Sequence, residues 1–115
     1  GQRTLPREDL LCLIEKHPFE FEPGEALIYN NSAYFLMGLI IESVSGQSFE
    51  EYADQNLFSP AGMENSSYCS NSALVEQKAQ GYQYLDEGLK LARYHDHTWP
   101  YAAGSLCSTI SDLLA

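Results

Sequence analysis

From Ala33 to Ile41 the chain carries no charged residue, and Leu36, Met37, Leu39, Ile40, Ile41 and Val44 leave almost no polar face. Asn31-Ser32 before this run and Gly46 after it are start and stop signals. They predict a helix from about Asn31 or Ser32 to Ser45, closed by a left-handed glycine. A helix apolar nearly all round normally lies at the centre of its domain, so the rest of the chain is expected to pack around this one. The apolar stretch from Tyr34 to Ile41 is far short of the roughly 20 residues that cross a bilayer.

Other segments fall into place on either side. Thr4 to His17 reads as a helix, with Thr4 as cap, Pro6 in the first turn and Leu10, Leu11, Leu13 and Ile14 as its apolar stripe. His17-Pro18 ends it, because the residue before a proline avoids helical backbone. Ser48-x-x-Glu51 is a capping box that opens a third helix running to about Leu57, and Pro60-Ala-Gly62 breaks the chain. Between Gln80 and Tyr94 the period becomes two, with Tyr82 and Tyr84 before an Asp86-Glu87-Gly88 turn and Leu89 and Leu91 after it, which predicts a hairpin. Thr109 and Asp112 resemble another capping box, with Ile110, Leu113 and Leu114 as its apolar side. The expected fold class is therefore mainly α, an α-rich α+β chain with one small hairpin. The last apolar turn, reaching Ala115 without a cap, reads as part of a longer protein.

Charge narrows the partners. Six Lys and Arg stand against 16 Asp and Glu, and the cations form no run. Nucleic acid and anionic membrane surfaces both require clustered cations, so neither is an expected partner. Cys12, Cys69 and Cys107 are odd in number and widely spaced. They match neither a zinc motif nor a disulfide framework, and are expected as unpaired or buried thiols. His95 and His97 could face the same way on a strand, but no third ligand is evident and no metal site is assigned. Asn30-Asn-Ser32 and Asn65-Ser-Ser67 are formal glycosylation sequons.

Several ordered pieces resemble one family. Phe21-Glu-Pro-Gly24, Tyr29-Asn30-Asn31, Gly38-Leu-Ile-Ile-Glu42, Val44-Ser-Gly46 and Phe58-Ser-Pro-Ala-Gly-Met63 resemble the β-lactamase-like serine hydrolases. So do Ala79-x-Gly81-Tyr82 and the stretch from Ala103-Gly104 to Asp112-Leu113. That family includes class C β-lactamases, D-alanyl-D-alanine carboxypeptidases and related esterases. It draws its reacting groups from a Ser-x-x-Lys, a Tyr-x-Asn and a Lys- or His-x-Gly motif.

Only the Tyr-x-Asn motif is matched here, by Tyr29 and Asn31. Positions three before Lys16, Lys78 and Lys90 hold Leu13, Val75 and Glu87, and His97-Thr98 is followed by Trp99. The resemblance implies that residues 1–115 are the helical lobe of such an enzyme, with the nucleophile motif before residue 1 and the triplet after residue 115. It implies that Tyr29 assists proton transfer and that Asn31 hydrogen-bonds the substrate amide and the motif lysine. Trp99, Tyr101 and Gly104 would contribute a substrate wall, with Gly104 in a turn of positive φ. The substrate would be an amide or ester, namely a β-lactam, a D-alanyl peptide or a small ester, and no cofactor is implied. A periplasmic or extracellular site would follow for a bacterial member.

The residues themselves also admit plainer readings. Tyr29 could pack on Phe21 at a helix entry, Asn31 could be an ordinary N-cap, and Trp99 could be a packing aromatic. A phenol ionises only near pH ~10 unless a cation stabilises it, and no lysine lies near Tyr29 in sequence. With no nucleophile motif, these residues alone are not expected to catalyse. The alternative from another class is a non-catalytic binding or assembly domain built on the same fold. Either way, exposed apolar surface is expected to favour oligomers.

Overall fold

The structure is a computed structural model that describes residues 6–72, 74–93 and 96–114. Helix α1 spans Arg7–Glu15, α2 Asn31–Ser45 and α3 Phe49–Ala53, and α3 runs on into a wider π turn over Asp54–Phe58. Two antiparallel pairs complete it: β1 (Ser67–Tyr68) with β4 (Leu106–Cys107), and β2 (Tyr82–Leu85) with β3 (Gly88–Leu91). Single 3-10 turns cover Tyr101–Ala103 and Asp112–Leu114.

The helix ends follow their local chemistry. α1 is shorter than expected, and Pro6, with an extended ψ of 149°, stands just before it and not in its first turn. The expected cap Thr4 lies outside the described residues. Asn30, not Asn31, caps α2: its Oδ1 accepts the Ser32 and Ala33 N–H groups at 2.7 and 3.4 Å. Gly46 closes α2 at φ 72°, as the sequence predicts. The Ser48–Glu51 capping box forms in both directions, with Glu51 N–H on Ser48 Oγ at 3.2 Å and Ser48 N–H on Glu51 Oε2 at 3.0 Å. The predicted hairpin forms as well, pairing Tyr82 with Leu91 and Tyr84 with Leu89.

α2 is not the buried centre that its composition suggests. Only Phe35 and Gly38 are buried, whereas Met37, Ile40 and Val44 are exposed, Val44 by 83%. The buried edge of α2 meets the Tyr101 turn, and Met37, Ile40 and Val44 on the opposite edge stay more than half exposed. The core is instead an aromatic knot. The Tyr101 ring packs against Phe35 and Phe49, with centroids 5.3 Å away in each case, and against Tyr68 at 6.4 Å. Gly38 lets α2 approach this ring, since a Cβ there would meet Tyr101 Cε1 and Ala102 Cβ at 2.5 Å each.

The β1–β4 pair was not legible as strands, and it corrects the expectation of unpaired thiols. Register puts Ser67 opposite Cys107 and Tyr68 opposite Leu106, so the next residue, Cys69, lies diagonally from Cys107. The two cysteines form a disulfide with Cα atoms 5.6 Å apart, and Cys12 remains free and exposed. Wide spacing in sequence did not prevent pairing, because the strands supply the proximity. Beside this pair, Asp112 accepts Asn65 N–H, Asn65 Nδ2 and Ser66 Oγ at 2.8, 3.2 and 2.7 Å. The capping contact also forms, Asp112 N–H to Thr109 Oγ1 at 3.2 Å, but it opens only a 3-10 turn among the described residues.

Candidate active site

The entry to α2 places the two residues of the Tyr-x-Asn motif differently. The Asn30 cap pins the chain as it turns into the helix. Asn31, the first helical residue, faces an open cavity of about 1040 Å³ between α1, the 17–21 segment, the start of α2 and the Trp99–Ala103 stretch. Tyr29 is not among the lining residues, although its neighbours Ile28 and Asn30 are; it is 70% exposed, its ring tilted 39° against Tyr34 with centroids 5.3 Å apart. That contact with Tyr34 takes the place of the expected packing on Phe21, which itself lines the cavity.

The substrate-wall residues divide in the same way. Trp99, 44% exposed, lines the cavity with Pro100 and Ala103, so residues 68 positions apart in sequence share one surface with Asn31. Tyr101 points the other way and is 1% exposed, in the aromatic knot behind the wall. Gly104 ends the turn with φ 173°, extended backbone, so the expected positive φ is not there. Tyr101 carries it instead, at φ 44°. A non-glycine residue holds that conformation only when its surroundings impose it, and here the packed ring does so.

Charge near the wall is arranged around Tyr101. Arg7 lies over its ring, 4.0 Å from the centroid, and donates to Glu42 Oε1 and Oε2 at 3.2 and 3.1 Å. Glu42 also accepts the Phe49 N–H at 2.9 Å, so one carboxylate joins α1, α2 and the start of α3. Burial pushes the Glu42 carboxyl up, but the Phe49 N–H, the Tyr101 hydroxyl and Arg7 outweigh it and hold the group below its ordinary value. Burial, and then the nearby Glu42 carboxylate, raise the Tyr101 phenol far above its usual range, so it stays protonated. The Tyr68 phenol is raised as well, chiefly by burial.

Among the described residues, no group of three or more His, Cys, Asp or Glu side chains is placed to hold a metal, and His95 lies outside them. Among the described residues, no helix is long and apolar enough to cross a membrane. Sequence reasoning missed Phe21 and Phe35 as cavity walls, and Tyr68 and Ser105 as supports behind them. Periodicity gives no signal for a contact made between loops.

The Beta-lactamase family model matches residues 2–115, and the chain belongs to that family of serine hydrolases. Penicillin-binding protein 4* of Bacillus subtilis is 38% identical over 64 residues, 56% of this chain and 14% of that protein. The mitochondrial serine beta-lactamase-like protein LACTB of Mus musculus is 30% identical over 105 residues, 90% of this chain and 19% of that protein. A penicillin-binding protein from Bacillus halodurans superposes with a TM-score of 0.80 at 36% identity, covering 94% of this chain and 34% of that one. The chain thus spans less than a fifth of these two curated relatives and about a third of the solved one.

Proposed function

We propose that the chain is the mainly α, Tyr-x-Asn-bearing lobe of a serine hydrolase that cleaves a small amide or ester through a serine acyl-enzyme. One observation carries this reading: Asn31 of the motif and Trp99 of the distant Trp-Pro-Tyr stretch line the same open cavity, and Ile28 and Asn30, on either side of Tyr29, line it too. In this reading a serine from outside these residues attacks the substrate carbonyl and gives up its proton. The amine or alcohol leaves with a proton, and water then hydrolyses the ester formed on the serine. Tyr29 relays those protons, Asn31 hydrogen-bonds the substrate amide and orients the motif lysine, and Trp99 forms the wall. Tyr101 and Gly104 shape that wall from behind. The Ser-x-x-Lys and Lys- or His-x-Gly motifs would come from the remainder of a protein of the relatives' length.

The test uses the full-length protein, treated with a fluorescent penicillin or a fluorophosphonate, with the label located by peptide mass spectrometry. Label on a serine of a Ser-x-x-Lys motif is expected, with acylation slowed by ~10²–10⁴-fold in Tyr29→Phe. Absence of label, or equal acylation in Tyr29→Phe, overturns the reading. The outcome would then favour the second reading, a binding or assembly domain, which the exposed Met37, Ile40 and Val44 stripe of α2 supports.

A further inference from the structure

Trp99 is carried on a segment whose two ends are tied together by one residue. Ser105 has no exposed surface, and all three of its polar groups are engaged. Its N–H donates to the Tyr101 carbonyl at 3.0 Å, and its own carbonyl accepts the Cys69 N–H at 2.7 Å. Its Oγ donates to the His97 carbonyl at 2.7 Å. That carbonyl also accepts the Tyr68 hydroxyl at 3.1 Å and the Tyr101 N–H at 3.3 Å. Three donors thus converge on the backbone two residues before Trp99. One of them comes from β1, and the Cys69–Cys107 disulfide fixes β1 to β4 immediately beside it.

Strands of two residues hold little by themselves, so the side-chain ties decide where this segment sits. We infer that Ser105 is a positioning residue for the Trp99 wall. It is not among the cavity-lining residues and acts by closing the His97–Ser105 segment on itself and on β1. Without the hydroxyl, the His97 carbonyl loses its shortest bond and the segment its tie from end to start. The inference rests on the proposed role of Trp99 for its functional consequence, but not for its structural one.

The test separates the two. Trp99 is the single tryptophan of this chain. In the full-length protein labelled with 5-fluorotryptophan, its fluorine NMR line is assigned by its loss in Trp99→Phe. In Ser105→Ala the line is expected to shift or broaden with the far-UV circular dichroism unchanged. KM should rise by ~2- to 10-fold, the loss of one ordinary hydrogen bond, with kcat within about twofold. A moved line with unchanged KM supports the positioning inference and removes Trp99 from the substrate wall. An unmoved line in folded Ser105→Ala overturns the inference. Should Ser105→Ala fail to fold, Tyr68→Phe removes a second donor to the same carbonyl. A moved Trp99 line there supports the inference, and an unmoved one overturns it.

Discussion

Tyr101 and Tyr84 are the same side chain in opposite circumstances. Tyr101 is enclosed by Phe35 of α2, Phe49 of α3, Tyr68 of β1 and the Arg7 guanidinium of α1, and so has neighbours from four separate elements. Tyr84 lies on an exposed hairpin opposite Leu89, only five residues away, and is 83% exposed. The hairpin face bearing Tyr82, Tyr84, Leu89 and Leu91 is as apolar as the residues of the knot. What separates them is the sequence distance of their partners. The knot closes four long loops at once and has burial to offset that entropy, whereas the hairpin closes only its own turn. Apolar character therefore makes a residue available for burial, and long-range register decides whether burial happens.

The sharpest way to break this contrast is to separate α2 from Tyr101. Gly38 sits mid-helix, where glycine costs about 0.5–1 kcal/mol relative to alanine, so on helix propensity alone Gly38→Ala should stabilise. Its Cβ, however, would meet Tyr101 Cε1 and Ala102 Cβ at 2.5 Å, well inside contact distance. A net destabilisation of ~1–3 kcal/mol is expected from overpacking, with more for Gly38→Val, read from urea unfolding of the full-length protein. A neutral or stabilising Gly38→Ala would mean that the knot is slack, and the distinction from the hairpin would lose its basis.

The two regions also differ in what the sequence discloses. α2, the Ser48–Glu51 box and the hairpin rest on signals within a few residues: a cap, a terminal glycine, an alternation. Each formed where those signals lie. Which face of α2 would be covered was not so encoded, because Leu36, Met37, Ile40 and Val44 are equally apolar and only the position of Tyr101 chooses between them. The disulfide and the β1–β4 pair were invisible for the same reason, since two-residue strands have no measurable period. At the candidate site, the resemblance to the family's Tyr-x-Asn motif singled out Tyr29 and Asn31, and the structure adds that Asn31 and Trp99 share a cavity. Tyr101 as a support, and Ser105 behind it, depend on loop-to-loop contacts that no local pattern carries.

A smaller effect is expected at the edge of the knot, where Asp112 ties residues 65–66 to the last described turn. The Ser66 hydroxyl, and after it the Asn65 amide and N–H, hold the Asp112 carboxyl below its ordinary value. A carboxyl depressed in the folded state contributes stability above its unfolded pKa and loses it as pH falls through the folded one. Asp112→Asn should therefore lower the urea midpoint near neutrality. The gap from the parent should narrow below about pH 4 and close once the parent carboxyl is also protonated. A gap of constant size down to about pH 2 would assign the loss to packing and not to the ionised carboxylate. Glu42 has the same sign and would contribute over the same acid range.

The smallest effect belongs to the hairpin, and it tests the contrast from the other side. Tyr84 and Leu89 form a cross-strand pair on an open face, and such pairs contribute only ~0.2–1 kcal/mol even where they pack well. Tyr84→Ser with Leu89→Ser should shift the unfolding free energy by less than about 1 kcal/mol and leave the Trp99 fluorine line in place. A larger loss in the full-length protein would show that something outside these residues covers the hairpin face. Tyr84 would then have distant partners of its own, and the rule drawn from Tyr101 would apply to both regions, with only the partner of the second left to find.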